Sequence, residues 1–449
     1  MPTANPYLDG NYAPVLTELT VEDLPTSGTL PAELCGRYLR NGPNPITPPE
    51  PATYHWFTGS GMVHGVRIAD GRARWYRNRW VRSSEVAAAL GEPAHPGPVV
   101  EGMDFAPNTN VIGHAGRTYA IVEAGARPYE LTDELETVGP SDFGGTLPGG
   151  YTAHPKRDPA TAELHAVSYY WGWGNRVQYT VTGTDGRVRR VVDVPVGGMV
   201  SVHDMSLTPS YAVIYDLPVV FSPEALADGA SFPYRWSHDY ESRVGLLPLD
   251  GSAEDVVWCE VEPCYVFHPM NAWDDAGAVV VDLVRYPSMF ATNFLGPDEG
   301  SPVLERWRID PKARKVATHV LDDRAQEFPR VDERVVGRPY RFGYAAMLEE
   351  PDEPGLAMGP RLVKHDMATG TSEVHTFPRA GTGEAVFVPT REDADEDDGY
   401  VLSLVYDGER DASDLVVLAA QDFTGEPVAT VHLPARVPYG FHGNWVPDD

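Results

Sequence analysis

Short β-type segments recur along the whole chain and limit the folds available to it. Typical runs cover residues 212–215, 278–284 and 400–406; each is rich in Val, Leu, Ile or Tyr and is followed by turn residues such as Asp, Pro or Gly. Such runs, about five residues long and bounded by turn formers, are typical of β-strands. Helical patterns are confined to short pieces, for example residues 84–90 and 223–228. The pattern predicts an all-β fold with local helical decoration.

The even spacing of these segments favours one large repetitive domain. The 449 residues show no change of composition and no Gly/Ser-rich linker between halves. Radial repetition fits this better than a row of sandwiches, so we expect a single β-propeller domain over residues 1–449. Seven blades would take about 64 residues each, which exceeds the ~40–45 residues of compact repeats. Loops and short helices must therefore cap one face.

The acidic balance of the chain excludes several partners. There are 65 Asp and Glu residues against 35 Lys and Arg, for a formal net charge of −30. Nucleic acid phosphates would be repelled by such a surface, and docking on anionic lipid is disfavoured, so any contact with a membrane surface would be transient. We interpret the acidic run at 392–398 as a solvated loop, because it lacks the spacing of a calcium loop.

Targeting and cysteine usage point to the cytoplasm. Residues 1–10 lack the basic and apolar regions of a signal peptide, and no segment has the roughly 20 apolar residues needed to span a bilayer. Cys35, Cys259 and Cys264 are too few and too irregularly spaced for a disulfide framework or a zinc ribbon. We expect a cytoplasmic protein with unpaired thiols.

Four of the 14 histidines lie beside apolar or aromatic runs: His154, His203, His268 and His442. Their separations of 49, 65 and 174 residues exclude a common helix. Inner strands of different propeller blades, however, converge on one axis, so we expect these histidines to hold a metal ion there. Four neutral imidazoles suit zinc, copper, nickel and iron alike.

Three glutamates in apolar surroundings, Glu123, Glu327 and Glu384, are candidate partners for those imidazoles. An imidazole that binds a metal usually donates its second N–H to an acceptor, and a buried carboxylate needs a partner. Taken singly, each histidine also fits a buried core position and each glutamate a salt-bridged surface position. The prediction of a metal centre therefore depends on the whole set.

Four longer segments have unusual composition and follow one another in a fixed order. They are residues 30–45 (LPAELCGRYLRNGPNP), 55–64 (HWFTGSGMVH), 108–110 (NTN) and 440–445 (GFHGNW). Together they resemble the carotenoid cleavage oxygenase family, and the resemblance covers essentially the full chain.

The resemblance implies a fold, a metal and a reaction. The fold would be a seven-bladed propeller with one non-haem Fe(II) per chain, held on the axis by the four histidines. The three glutamates would each hydrogen-bond one ligating imidazole and leave one histidine without a carboxylate partner. The enzyme would use O2 to cleave a C=C bond of a hydrophobic alkene, a carotenoid or apocarotenoid, into two carbonyl products. No protein partner is implied.

The resemblance also bears on the substrate site. Thr109 would crowd an open coordination position of the iron, and Phe267 would line the alkene channel. Stilbene-cleaving members carry a lysine directly before the glutamate that corresponds to Glu123, where this chain has Val122. Because an aliphatic side chain cannot anchor a phenolate, we expect a carotenoid or apocarotenoid rather than a hydroxystilbene. His55 and His64 are expected to belong to the blade core.

Three alternatives remain open at this stage. A stilbene or related phenylpropenoid is the second candidate substrate. A propeller that binds a ligand and keeps its metal only as a structural pin would need neither open coordination positions nor the glutamates. A zinc hydrolase would need a carboxylate free to move protons, whereas these glutamates are expected to accept imidazole N–H groups.

Overall fold

The computed structural model describes residues 5–100, 102–105, 107–349, 358–378 and 380–448. Within these ranges there are two short α-helices, α1 (Ser84–Leu90) and α2 (Pro223–Ala227). The strands in chain order are β1 (Thr20–Glu22), β2 (Thr26–Gly28), β3 (Gly36–Pro43), β4 (Gly61–Ala69), β5 (Arg72–Trp80), β6 (Asn110–His114), β7 (Arg117–Ile121), β8 (Tyr129–Leu131), β9 (Thr137–Pro140), β10 (Lys156–Arg157), β11 (Leu164–Tyr169), β12 (Arg176–Thr182), β13 (Val188–Pro195), β14 (Met205–Leu207), β15 (Tyr211–Asp216), β16 (Val219–Phe221), β17 (Tyr234–Trp236), β18 (Arg243–Pro248), β19 (Val257–Glu260), β20 (Tyr265–Asp275), β21 (Ala278–Tyr286), β22 (Val303–Asp310), β23 (Lys315–Asp322), β24 (Gln326–Val331), β25 (Phe342–Leu348), β26 (Met358–Asp366), β27 (Thr371–Thr376), β28 (Ala380–Thr382), β29 (Val386–Pro389), β30 (Gly399–Asp407), β31 (Ala412–Ala419), β32 (Ala429–His432) and β33 (Gly443–Pro447).

Seven antiparallel sheets of four to six strands form the blades of a propeller. Five of them are built from strands that follow one another closely in sequence: β6–β9, β10–β13, β14 with β15, β18 and β19, β20–β23, and β24–β27. The other two combine strands from both ends of the chain: β3–β5 with β1 and β33, and β28–β32 with β2. A separate hairpin, β16–β17, and the two helices lie in the long connections. The all-β, seven-bladed propeller expected from the sequence is confirmed.

The two ends of the chain close the ring of blades. β33 pairs with β3, with Trp445 opposite Tyr38 and Gly443 opposite Arg40. β2 pairs with β32 of the neighbouring sheet. Each of these sheets is thus held together by backbone hydrogen bonds between segments about 400 residues apart, a closure that leaves few free strand edges.

The strands and helices predicted from sequence all form, with small shifts at their ends. The run 212–215 lies within β15, the run 278–284 within β21 and the run 400–406 within β30. Helix α1 begins after Ser83, whose hydroxyl accepts from the Val86 amide, and is followed by Gly91 in the left-handed conformation. Helix α2 ends at Ala227, one residue earlier than predicted.

The hydrophobic core lies between the faces of adjacent blades. The largest cluster joins the three blades from β10 to β23 and includes Tyr179, Ile214, Val281 and Trp307, each at most 1% exposed. Side chains of this size contribute roughly 1.5–3 kcal/mol each when fully buried. This packing fixes the blades against one another and so fixes the side chains that they direct to the axis.

The acidic run at 392–398 is a loop, as predicted, but it is not fully solvated. The Glu396 carboxylate accepts the backbone N–H groups of Arg341 and Phe342, both at 2.7 Å. Asp397 forms an ion pair with Lys364 at 3.0 Å. The prediction was wrong for these two residues because their partners lie in another blade, distant in sequence. The three cysteines are free thiols, as expected, and no helix of the described residues is long and apolar enough to cross a membrane.

Candidate metal centre

Four buried histidines from four different blades meet at the propeller axis. His154, His203 and His442 each lie directly before or close to the start of an inner strand, β10, β14 and β33 respectively, and His268 lies within β20. One ring nitrogen of each lies within 4.8 Å of those of the other three. The structure therefore brings together all four histidines singled out in the sequence.

The spacing of the nitrogens fits a transition-metal site. His203 Nε2 lies 3.0 Å from His154 Nε2 and 3.1 Å from His268 Nε2. Two ligands bound at right angles, about 2.1 Å from a metal, lie about 3.0 Å apart. Imidazoles that carry their proton on Nδ1 present only lone pairs at Nε2, and lone pairs this close repel unless a cation lies between them. The donor set thus fits a divalent transition metal.

Three glutamates fix the orientation of three of these rings by facing their Nδ1 atoms. The distances to Nδ1 are 2.6 Å from Glu327 Oε2 to His268, 2.9 Å from Glu384 Oε1 to His442, and 2.7 Å from Glu123 Oε2 to His203. The last contact is short but is bent away from ideal hydrogen-bond alignment. A carboxylate that accepts Nδ1–H leaves Nε2 to face the axis. All three predicted glutamates are therefore beside the expected imidazoles.

The fourth ring, His154, has no carboxylate at hydrogen-bond distance, as the resemblance implied. Its Nδ1 lies 3.7 Å from Asp204 Oδ2. That same oxygen accepts from Lys156 Nζ at 2.8 Å, and Asp204 Oδ1 accepts from the Met205 amide at 2.6 Å. Asp204 was missed in the sequence, although its place directly after His203 was a usable signal.

Burial acts to lower the pKa of all four histidines, and the glutamates beside His203, His268 and His442 act to raise it. Burial lowers the pKa of His154, His268 and His442, and the neighbouring imidazoles lower it further. Burial also acts to lower the pKa of His203, but the Glu123 carboxylate outweighs it and the pKa of His203 is raised. Neutral imidazole is the form that binds a metal.

The glutamates are themselves held by a further layer of side chains. Burial disfavours the charged form of Glu384, but the Arg330 guanidinium, 3.1 Å away, and His442 outweigh it and hold the pKa of Glu384 at about 2. Tyr169 donates its hydroxyl to Glu123 Oε1 at 2.9 Å. Arg330 and Tyr169 had not been singled out in the sequence, because nothing near either one marks it as a partner of a distant glutamate.

An apolar cavity of about 390 Å³ opens on one side of the histidines. Its aromatic lining includes Trp56, Phe57, Phe232, Phe267, Phe328 and Phe441. The predicted substrate residues Thr109, Val122 and Phe267 all lie in its wall, and the Phe267 ring packs edge-on against His203 with centroids 5.1 Å apart. The described lining residues include no Lys or Arg.

Two side-chain donors in this wall have no partner among the described residues, the indole Nε1–H of Trp56 and the hydroxyl of Tyr234. The hydroxyl of Tyr234, a residue that is 2% exposed, makes no hydrogen bond with the described residues. The backbone amide of Trp171 is near it but outside hydrogen-bond geometry. A buried donor of this kind costs about 1–3 kcal/mol unless something binds it.

A second, polar cavity of about 580 Å³ reaches the histidines from another direction. It is lined by charged groups such as Lys156, Asp204, Arg330 and Asp332, and it touches His154. The histidine cluster therefore lies between an apolar cavity and a polar one. Sequence reasoning did not predict the polar cavity, because loops from several blades form it.

His55 and His64 both stay outside the axial cluster. The expected blade-core position is correct for His64 but wrong for His55, which lies in the connection between β3 and β4, directly before a short 3-10 turn. His64 lies in β4 and its Nδ1 is 2.9 Å from the Tyr76 hydroxyl. His55 Nδ1 accepts from the Phe57 amide at 3.1 Å, and its ring stacks on Phe232 with centroids 4.3 Å apart. Both are buried side chains of the scaffold.

Comparison with known proteins gives one consistent result. The family model described as retinal pigment epithelial membrane protein matches residues 12–447. A carotenoid cleavage oxygenase of Mycobacterium tuberculosis is 49% identical over 99% of this chain and 98% of its own length. A carotenoid 9,10(9',10')-cleavage dioxygenase of Crocus sativus is 32% identical over 99% and 89%.

Solved structures agree with the sequence relatives. A Pseudomonas brassicacearum lignostilbene dioxygenase has a TM-score of 0.88 at 29% identity, covering 100% of this chain and 99% of that one. Cobalt-substituted Synechocystis apocarotenoid oxygenase has a TM-score of 0.86 at 27% identity, covering 97% of both. These matches confirm the resemblance seen in the sequence, and the chain belongs to the carotenoid cleavage oxygenase family.

Proposed function

We propose that the protein is an iron(II)-dependent dioxygenase that cleaves one C=C bond of a carotenoid or apocarotenoid into two carbonyl products. The observation that carries the proposal is the cluster of four buried imidazoles, which shares a wall with an aromatic-lined apolar cavity. The names of the Mycobacterium and Crocus relatives support the same reaction.

The four histidines would hold one iron ion per chain. A four-nitrogen set without carboxylate leaves up to two positions of an octahedral ion open. When bound, the iron would supply the activation of O2 toward an electron-rich alkene. Both oxygen atoms of O2 end in the products, one in each carbonyl, so the balance needs no reductant and no proton.

The chain's own residues would position the reactants and keep water out. The aromatic wall holds a polyene by apolar contact, and Phe267 places it beside His203. Thr109 lies in the same wall, and its hydroxyl donates a hydrogen bond to Asn108 Oδ1 at 2.9 Å. Thr109 therefore contributes bulk near the metal rather than a free acid or base. The three glutamates accept imidazole N–H groups of His203, His268 and His442 and so keep these three Nε2 atoms directed at one point.

A hydroxystilbene is the second candidate substrate, supported by the similarity to a lignostilbene dioxygenase. The cavity wall disfavours a hydroxystilbene, because Val122 stands where stilbene cleavers have a lysine and the described lining residues include no Lys or Arg. The unpartnered hydroxyl of Tyr234 and the indole N–H of Trp56 instead offer neutral donors. An oxygen-bearing polyene, such as an apocarotenal, can accept from one of them.

The cellular setting belongs to the same proposal. The ring of seven blades supports a single domain. Free thiols support a cytoplasmic protein, and the acidic surface favours meeting its hydrophobic substrate in solution or in brief contact with a membrane surface.

The test is product analysis under isotopically labelled O2. Iron-loaded protein is incubated with carotenoids, apocarotenals and hydroxystilbenes, and a His268→Ala variant is the control. Labelled aldehydes or ketones from a polyene, absent in the control, are expected. Products from stilbenes alone would contradict the substrate assignment. Tightly held zinc with no alkene cleavage would favour a hydrolase, and bound iron with no cleavage would favour a ligand-binding propeller.

A further inference from the structure

His154 differs from the other three axial histidines in what faces its Nδ1. The other rings meet a glutamate at 2.6–2.9 Å. His154 instead faces Asp204 Oδ2 at 3.7 Å, beyond hydrogen-bond distance but within reach of a small ring rotation. Asp204 is only 3% exposed, so its carboxylate cannot turn to bulk solvent.

The oxygen that faces His154 is already engaged. Lys156 Nζ lies 2.8 Å from Asp204 Oδ2, the same atom that approaches the histidine. The other oxygen, Oδ1, is fixed by the Met205 amide. A carboxylate oxygen has two lone pairs, but a bound ammonium withdraws charge from it and holds it in place. Lys156 and His154 therefore compete for one acceptor.

We propose that Asp204 is the positioning carboxylate of His154 and that Lys156 weakens this contact by competing for Oδ2. The proposal rests on the metal centre described above. It makes His154 the least firmly oriented of the four ligands, because its acceptor lies 3.7 Å from Nδ1 whereas the other three lie at 2.6–2.9 Å. The shared acceptor also lines the polar cavity, which gives the three groups room to rearrange.

Two substitutions should act in opposite directions. Asp204→Asn keeps an oxygen for the Met205 amide but removes the acceptor for His154, so metal affinity should fall about 3–10-fold, less than the 10–100-fold typical of a direct partner. Lys156→Met frees Oδ2 for His154, so affinity should rise several-fold. Glu327→Gln is the matched control for loss of a direct partner and should give the larger fall.

The double variant separates this mechanism from simple charge repulsion. Removing a lysine near a cation raises metal affinity even without any contact to His154. If Lys156 acts through Asp204, Lys156→Met has no effect on affinity in the Asp204→Asn background. If Lys156 acts only by its charge, the increase persists in that background, and this result would overturn the proposal.

The experiment uses metal-free full-length protein and Co²⁺ as the probe, with affinity measured by competition with a chelator. Thermal unfolding of each metal-free variant verifies that it folds. A second readout is solvent exchange of the hyperfine-shifted imidazole N–H signals in the Co²⁺ form. One signal should exchange faster than the other three in the native protein, faster still in Asp204→Asn and more slowly in Lys156→Met.

Each outcome decides between this inference and the proposed function. Unchanged affinity and exchange in both variants would leave Asp204 as a structural ion-pair partner of Lys156 and would overturn the inference. The expected pattern in a protein that cleaves no alkene would support the inference and contradict the dioxygenase assignment. Native protein that binds no Co²⁺ would contradict both.

Discussion

The contrast between Glu384 and Glu327 yields a prediction about stability and metal binding together. Glu384 accepts from His442 Nδ1 at 2.9 Å and from the Gly443 amide at 2.9 Å. It also pairs at 3.1 Å with the guanidinium of Arg330, whose side chain is 14% exposed. Glu327 faces His268 Nδ1 and the Phe328 amide, and no Lys or Arg of the described residues pairs with it. The same Glu→Gln change should therefore have different consequences at the two sites.

Glu384→Gln should destabilise the metal-free protein strongly. Breaking a buried ion pair by removing one partner costs about 3–5 kcal/mol, because the other charge is left uncompensated. Arg330 keeps Glu333 at 2.9 Å, but that carboxylate is 55% exposed and replaces little of the loss. Glu327→Gln weakens one contact to a carboxylate and should cost about 1–3 kcal/mol. Both variants should lower metal affinity about 10–100-fold.

The assay is urea unfolding of metal-free protein, combined with Co²⁺ titration of each variant. Addition of Arg330→Met to Glu384→Gln should restore part of the lost stability, since it removes the unpaired charge. It should not restore metal affinity. Equal destabilisation by the two Glu→Gln changes, with no rescue by Arg330→Met, would refute the assignment of the extra stability to the Arg330 pair.

Three further changes test the cavity and its surroundings. Val122→Lys places a cation in the apolar wall and should raise kcat/KM for a 4-hydroxystilbene relative to an apocarotenal by about tenfold, as expected for one hydrogen bond to a charged group. Tyr234→Phe should lower kcat/KM for an oxygen-bearing polyene but not for its hydrocarbon analogue, measured on the same preparation. Burial and the Arg235 charge lower the pKa of His55 to about 3, so the imidazole binds a proton less readily in the folded protein than in the unfolded chain. The contribution of neutral His55 to stability is therefore full above pH 6.5 and is lost as the pH falls toward 3. The loss is roughly 2 kcal/mol at about pH 5. When the pH is lowered from neutral to about 5, the free energy of unfolding should therefore fall less in His55→Asn than in the native protein, by that amount.

The histidines and glutamates could be found in the sequence because local and family patterns both marked them. His268 and His442 lie in aromatic runs, and Glu384 precedes an apolar strand. The partners that tune them could not be found in this way. Lys156 and Asp204 are 48 residues apart, and Arg330 and Glu384 are 54 apart. No local preference encodes such contacts, which form only when different blades meet.

The same reasoning explains which features of the fold were predictable. Alternation of apolar runs with turn residues predicts strands such as β21 and β30, because that pattern is local. The pairing of β33 with β3 joins segments some 400 residues apart, and no short-range signal specifies it. Glu396 was assigned to a solvated loop for a related reason, since its backbone donors, Arg341 and Phe342, belong to another blade.

Removal of the metal should loosen the axis without unfolding the propeller. The four histidines come from four blades, so a bound ion would link blades that are already packed by large clusters such as the one containing Ile214 and Trp307. A ligand at 100 times its Kd stabilises the native state by about 2.7 kcal/mol, and 1 kcal/mol shifts Tm by only about 2–4 °C even in a chain of half this length. Chelation should therefore lower Tm by a few degrees, keep the β-sheet circular dichroism signal and be reversed by added metal. Cooperative unfolding on chelation at room temperature would show that the ion, and not the packing between blades, holds the ring together.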